Sequence, residues 1–273
     1  MTATASLLEF NDVHVHFPIR QGLFKREVGR IRAVNGVSFD IKRGQAFGLV
    51  GESGCGKSTV ARAALKLEEP TSGSIRYAGE HVSLLVGPAM VKYRRKMQAV
   101  FQDPFSSLNP RQKAGQIIAE PIRVLGIETK TARLNEMVAD LLTQVGLSPE
   151  DADKYPHEFS GGQRQRIAIA RAIVTRPDLI VADEAVSALD VSIQAQILEL
   201  LNQIQRETGV AMIFITHDLR VASQICDEIA VMQKGRVVES GPPSRIFLDP
   251  QSSYTRELVA AIPGEERGAK PSH

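Results

Sequence analysis

The chain has 273 residues, 43% of them hydrophobic, enough to bury one large core or one core with an inserted subdomain. Acids and bases nearly balance at a net charge of +2, which excludes the charge excess that would point to nucleic acid or to an acidic membrane surface. Only Cys55 and Cys226 are present, which favours a reducing compartment, the cytoplasm, over a disulfide scaffold.

Residues 1–17 lack the basic start and apolar stretch of a secretory signal. No run reaches the ~18 apolar residues that a spanning helix needs, so any membrane role is borrowed from a partner. The β-type runs 13–17 and 32–41 flank a basic, glycine-containing loop and predict antiparallel sheet. From residue 46 the grammar changes to apolar strand, glycine loop and helix, with a strand over Ala46–Val50 and a helix over 57–67. The middle, about 103–172, is helix-rich and strand-poor, with Leu134, Val138, Leu141 and Val145 at helical spacing; it reads as an inserted helical subdomain. The runs 179–182 and Ala211–Thr216 are continuously apolar, as in strands buried on both faces of a parallel sheet. Between them Ile193, Ile197, Leu201 and Ile204 mark one face of a crossover helix. Runs 229–232 and 236–239, joined through Lys234 and Gly235, predict a closing hairpin. The polar tail 264–273 is expected to be disordered.

Gly51-Glu52-Ser53-Gly54-Cys55-Gly56-Lys57-Ser58 fits the P-loop pattern and lies between a predicted strand and a predicted helix. Its glycines let backbone N–H groups turn inward around phosphate oxygens, and Lys57 supplies a point charge to the terminal phosphates. Ser58 offers its hydroxyl to Mg2+, and Thr59 follows at the helix start. Asp183 and Glu184 end a buried strand at the edge where open α/β sheets bind ligands. Asp183 is suited to hold the metal, and Glu184 to polarise the attacking water. His217 follows the run Ala211–Thr216 and emerges on that edge, able to donate a hydrogen bond to the γ-phosphate. The other histidines have no comparable setting. Cys55 is most simply a small loop residue, and its place at a helix N-terminus also makes it a candidate thiolate.

Ser160-Gly161-Gly162-Gln163 opens a second predicted helix and makes a second candidate anion site. One nucleotide does not need two cradles, so this one is best placed against a γ-phosphate bound on a partner subunit.

The ordered set resembles the nucleotide-binding subunits of ABC transporters over almost the whole chain. It comprises Walker A at 51–58, a Q-loop glutamine at Gln102, the signature at 160–163, and Walker B at Leu179–Asp183. Catalytic Glu184, the D-loop Ser187-Ala188-Leu189-Asp190 and the switch His217 complete it. The fold implied is α/β, a P-loop NTPase core with a parallel sheet, an antiparallel N-terminal β-subdomain and the inserted helical subdomain, all within a domain 1–263. The resemblance also implies that two subunits sandwich two ATP molecules, with Ser160 and Gly162 acting in trans. Gln102 would contact Mg2+ or the water, and the stretch 105–110 would sense a coupling helix of the membrane subunit. Phe17 resembles the aromatic that stacks on adenine, with Val34 packing beside the ring.

A closer resemblance is to the oligopeptide, dipeptide and nickel importers. It rests on Phe101-Gln102-Asp103-Pro104-Phe105-Ser106-Ser107-Leu108-Asn109-Pro110, on Asp183-Glu184-Ala185-Val186-Ser187-Ala188-Leu189-Asp190, and on Tyr254-Thr255-Arg256-Glu257-Leu258 within a C-terminal element at about 242–263. Ala185-Val186 resembles the second of the two ATPase subunits that such importers use, so a heterodimer is favoured over a homodimer. The implied partners are that second ATPase, two transmembrane permease subunits and an extracytoplasmic solute-binding protein, with this chain peripheral on the cytoplasmic face of the membrane and no nucleic acid. The chain departs from the family at Phe159, where leucine is usual, and at Ser252-Ser253, where His-Pro is usual. It has no cysteine after Cys226, so the iron-sulfur cluster of some relatives is excluded. A soluble ABC ATPase acting on DNA or ribosomes is disfavoured by the absence of coiled-coil heptads and of a basic arm. A P-loop kinase would leave the signature and D-loop without a task.

Overall fold

The structure is a computed structural model that describes residues 6–21, 26–103 and 107–262. Phe105 and the tail 264–273 lie outside the described residues. Strands β1 (Ser6–Gln21) and β2 (Arg26–Lys42) pair antiparallel from Leu8 opposite Ile41 to Gln21 opposite Arg26. They reach well beyond the predicted runs. Asp12 takes a left-handed φ of 47° inside a register shift between Phe10 and Val13, and such a bulge breaks the period of two on which a strand is read. Strands β4 (Ser72–Tyr77) and β5 (Glu80–His81) extend this sheet in the order β2-β1-β4-β5.

The second sheet runs β10-β9-β3-β8-β7-β6, with β3 (Ala46–Val50), β6 (Met97–Phe101), β7 (Leu179–Asp183), β8 (Ala211–Thr216), β9 (Glu228–Gln233) and β10 (Arg236–Gly241). All neighbours pair parallel except the β9–β10 hairpin. Lys234 and Gly235 join that hairpin with φ of 47° and 79°, the two positive values that a tight hairpin turn demands. Every residue of β3 and β8 is buried, as their unbroken apolar sequences predict. Side chains alternate between two cores: Ile180, Ala182, Met212 and Phe214 face one, while Leu179, Val181, Ile213 and Ile215 face the other.

Helix α1 (Lys57–Ala64) follows β3 and stops short of residue 67; two positions past its end Lys66 takes a φ of 52°. Helix α2 (Gly87–Lys96) leads into β6. The crossover from β6 to β7 holds α3 (Ala114–Val124), α4 (Thr131–Gln144) and α5 (Gly161–Ile173). Leu134, Val138 and Val145 are buried there, with Leu141 partly so, against the first core. Helix α6 (Val191–Thr208) buries Ile197, Leu201 and Ile204 and half-buries Ile193 on that same face. Helices α7 (Leu219–Ile225), α8 (Pro243–Leu248) and α9 (Ser253–Ala260) complete the chain. Among the described residues no helix is long and apolar enough to cross a membrane.

Asp178, just before β7, ties separate pieces of this framework together. It accepts hydrogen bonds from Lys96 Nζ at 2.7 Å, Tyr77 Oη at 2.9 Å and Arg43 Nη1 at 3.0 Å. Partial burial pushes its carboxyl up, but these donors outweigh burial and hold it below the usual carboxylate range. A depressed carboxyl contributes stability that is present above its unfolded pKa and is lost as pH falls through the folded value. Asp178→Ala is expected to cost about 2–3 kcal/mol in urea unfolding at pH 7. The difference from wild type should shrink as the titration moves below pH ~4, the unfolded carboxyl range.

Candidate nucleotide site

The parallel sheet delivers the predicted residues to one edge. Val50 pairs with Thr216, Asp183 with Ile215, and Phe101 with Asp183, so Gly51, His217, Glu184 and Gln102 all follow the C-terminal ends of adjacent strands. That edge is where open α/β sheets bind ligands.

Between β3 and α1 the chain turns through Gly51, Gly54 and Gly56. Gly54 and Gly56 have φ of 82° and 110°, and a Cβ at Gly56 would lie 2.1 Å from the Ala33 carbonyl oxygen. A Cβ at Gly51 would lie 2.2 Å from the Met232 carbonyl oxygen. Only glycine fits where the loop is pressed this closely against its supports. Gly235 N–H donates to Cys55 O at 2.9 Å, and Asn35 N–H donates to Gly235 O at 2.8 Å, so the β9–β10 turn and β2 brace the loop from behind. Gly56 starts α1 with no side-chain cap, and the amide N–H groups at this helix start are a ready anion site. Ser53 and Gly54 are exposed at the mouth. Thr59 is half-buried and its N–H donates to Gly56 O at 3.1 Å.

Lys57 is 4% exposed and folds back over the loop, donating to Gly51 O at 2.7 Å and Glu52 O at 2.9 Å. Ser58 Oγ donates to Asp183 Oδ1 at 3.2 Å, bringing together the two side chains expected at the metal. Burial, and next to it the negative charge of Glu184, raise the Asp183 carboxyl above its ordinary value despite the Ser58 hydroxyl and the nearby Lys57. A cation would reverse that imbalance. Among the described residues no group of three or more His, Cys, Asp or Glu could hold a metal by itself.

Glu184 occupies a left-handed φ of 50°, costly for a residue with a side chain. The conformation is held at both ends: Glu184 N–H donates to Ile215 O at 2.9 Å, and its carbonyl accepts from Ser187 N at 3.1 Å and Ser187 Oγ at 3.0 Å. His217 Nδ1 stands 3.9 Å from Glu184 Oε2, too far for a hydrogen bond, and its side chain is 54% exposed. Gln102 is exposed at the end of β6.

The second cradle is built elsewhere on the surface. Ser160 caps α5 in a reciprocal box, accepting from Gln163 N at 3.3 Å while Gln163 Oε1 accepts from Ser160 N at 3.0 Å. A Cβ at Gly162 would lie 2.5 Å from Ile193 Cγ2, and Gly161 faces Leu189, so α5 packs against the start of α6, which Asp190 caps through Ile193 N at 3.0 Å. Asp190 also accepts from Ser192 Oγ at 2.7 Å, which holds its carboxyl below the usual range. Among the described residues no hydrogen bond joins 160–163 to 51–58.

Some expectations change. Val34 is 0% exposed within the second core, so it has no surface to lay beside an adenine ring. Phe17 is half-buried and packs on the same core. It pairs with Ile31, near Ala33, whose carbonyl faces Gly56. Cys55 is buried, and burial pushes its thiol up despite Lys57, against the expected thiolate. Phe159 is 4% exposed in the first core and fills a leucine position without difficulty. The bracing residues Ala33 and Gly235, and Tyr254, whose Oη accepts from Glu52 N at 3.2 Å, were not assigned to the site from sequence. A tyrosine 202 positions away carries no local signal; only its place in a recurring C-terminal motif could have drawn attention to it.

Residues 34–187 match the ABC transporter family. The chain is 51% identical over 258 residues to a probable peptide ABC transporter ATP-binding protein, y4tS of Sinorhizobium fredii, covering 94% of this chain and 73% of that protein. It is 49% identical over 259 residues to the oligopeptide transport ATP-binding protein AppF of Bacillus subtilis, covering 94% of this chain and 78% of that one. Among solved structures, the dimeric post-hydrolysis state of the ATP-binding cassette MJ0796, bound to ADP and Pi, superposes with a TM-score of 0.76 at 28% identity, covering 86% of this chain and 98% of the other. With its phosphate loop, paired carboxylates and second cradle in place, the chain belongs to the ABC transporter family as an ATP-binding, ATP-hydrolysing subunit.

Proposed function

We propose that this subunit powers uptake of an oligopeptide or dipeptide across the cytoplasmic membrane, working on its cytoplasmic face with two permease subunits and an extracytoplasmic solute-binding protein. The observation that carries the chemistry is the meeting of Ser58 Oγ and Asp183 Oδ1 at 3.2 Å, beside Glu184 and in front of the braced loop. In this reading the loop N–H groups and Lys57 hold the triphosphate. Ser58, Asp183 and Gln102 would hold Mg2+, which would supply charge neutralisation for the phosphates. Glu184 takes the proton of the attacking water, and His217 swings from its exposed position to donate to the γ-phosphate. Phe17 stacks on the adenine.

The second cradle at 160–163, present beside a complete phosphate loop at 51–58, supports a shared pocket, in which Ser160, Gly161, Gly162 and Gln163 close over nucleotide bound by a second ATPase subunit. Asp190 sits at the same face. The buried Ala185-Val186 pair, by its resemblance to the second ATPase of such importers, favours a different chain as that partner. The helices α3, α4 and α5 then act as the unit that couples closure to the permeases. The test is uptake by the assembled complex in proteoliposomes. Labelled oligopeptide is expected to accumulate only with ATP, in a complex containing a second ATPase chain; ATP consumption without accumulation of any peptide overturns the import reading.

A further inference from the structure

The phosphate loop has a support from the far end of the chain. Glu52, its second residue, is bound through both of its backbone polar groups. Its carbonyl accepts from Lys57 Nζ at 2.9 Å, and its N–H leaves the loop to reach Tyr254 Oη at 3.2 Å. Tyr254 is 5% exposed in the same core as Val50, the last residue before the loop. Its helix is itself anchored: the carboxylate of Glu239, on β10 and 8% exposed, accepts from the N–H of Gln251 at 2.8 Å and of Ser252 at 2.9 Å. Burial pushes the Glu239 carboxyl up, but those N–H bonds outweigh it and keep it charged. At the other end of α9, Leu258 and Ile262 line a cavity of about 210 Å3 together with His217 and Asp218. Through Tyr254 this short helix reaches the loop that carries Lys57.

We propose that α9 is a positioning element of the nucleotide site and that Tyr254 is a positioning residue, fixing the entry of the phosphate loop through Glu52 N–H. This rests on the nucleotide reading of residues 51–58. A half-buried N–H without an acceptor is unfavourable, so loss of the phenol oxygen lets the Glu52 peptide rotate and releases the carbonyl that orients Lys57.

The experiment compares full-length wild type, Tyr254→Phe and Glu239→Gln by equilibrium binding of a fluorescent ATP analogue, steady-state ATPase kinetics and thermal melting. Tyr254→Phe keeps the buried ring and removes only the hydroxyl. It is expected to raise Kd and KM for ATP roughly two- to tenfold, while kcat and Tm stay close to wild type. Glu239→Gln keeps the hydroxyl but loosens the helix, and should weaken ATP binding in the same direction with a lower Tm. Wild-type Kd and KM in Tyr254→Phe overturn the proposal, as does a loss of affinity in Tyr254→Phe that comes with a matching fall in Tm. Failure of the wild-type chain to bind the analogue would instead overturn the nucleotide reading beneath it.

Discussion

Glu184→Gln is expected to reduce ATP hydrolysis by about 100-fold or more while leaving ATP bound at wild-type affinity or tighter. The substitution is isosteric, so the left-handed backbone held by Ile215 O and Ser187 meets no new strain. The lost function is that of a base. Its negative charge is one of the influences that raise the Asp183 carboxyl, so its removal relieves that carboxyl. Phosphate release and equilibrium ATP binding, measured on the same preparation, separate the two effects. A variant that turns over at the wild-type rate would hand the role of base to another group.

Lys57→Ala should act on the other half of the site and weaken ATP binding by about 100-fold or more. The ammonium is 4% exposed and held by the carbonyls of Gly51 and Glu52, so it is already desolvated and aimed along the loop. Little reorganisation stands between this arrangement and a phosphate oxygen. Binding of a fluorescent ATP analogue checks the effect, with the melting temperature of the nucleotide-free chain as the control for folding. Affinity within threefold of wild type would refute the phosphate role of the lysine, since a desolvated charge partner cannot be removed so cheaply.

Much of this site could be read from sequence because its chemistry is local. The P-loop glycines sit where only a residue without Cβ fits, and strands β3, β7 and β8 are unbroken apolar runs whose ends set where Gly51, Glu184 and His217 emerge. The hairpin at Lys234 and Gly235 was legible for the same reason. Features that depend on register or on distant partners were not. The true lengths of β1 and β2 are hidden by bulges that interrupt alternation. Val34 was misassigned because an apolar strand residue faces either the core or the ligand, and the bulged register between Val15 and His16, opposite it, cannot be counted from sequence. The strained φ of Glu184 and the bond from Glu52 to Tyr254 arise only when separate segments meet.

The bracing of the phosphate loop by Ala33, Met232 and Gly235 has a consequence for which nucleotide state the protein senses. A pocket floor that is already rigid surrenders little entropy on filling, and it presents the same amides to a diphosphate as to a triphosphate. It therefore grips fuel and spent product alike. In the proposed reading, discrimination between them falls to the exposed imidazole of His217 and the carboxylate of Glu184, which would face the third phosphate.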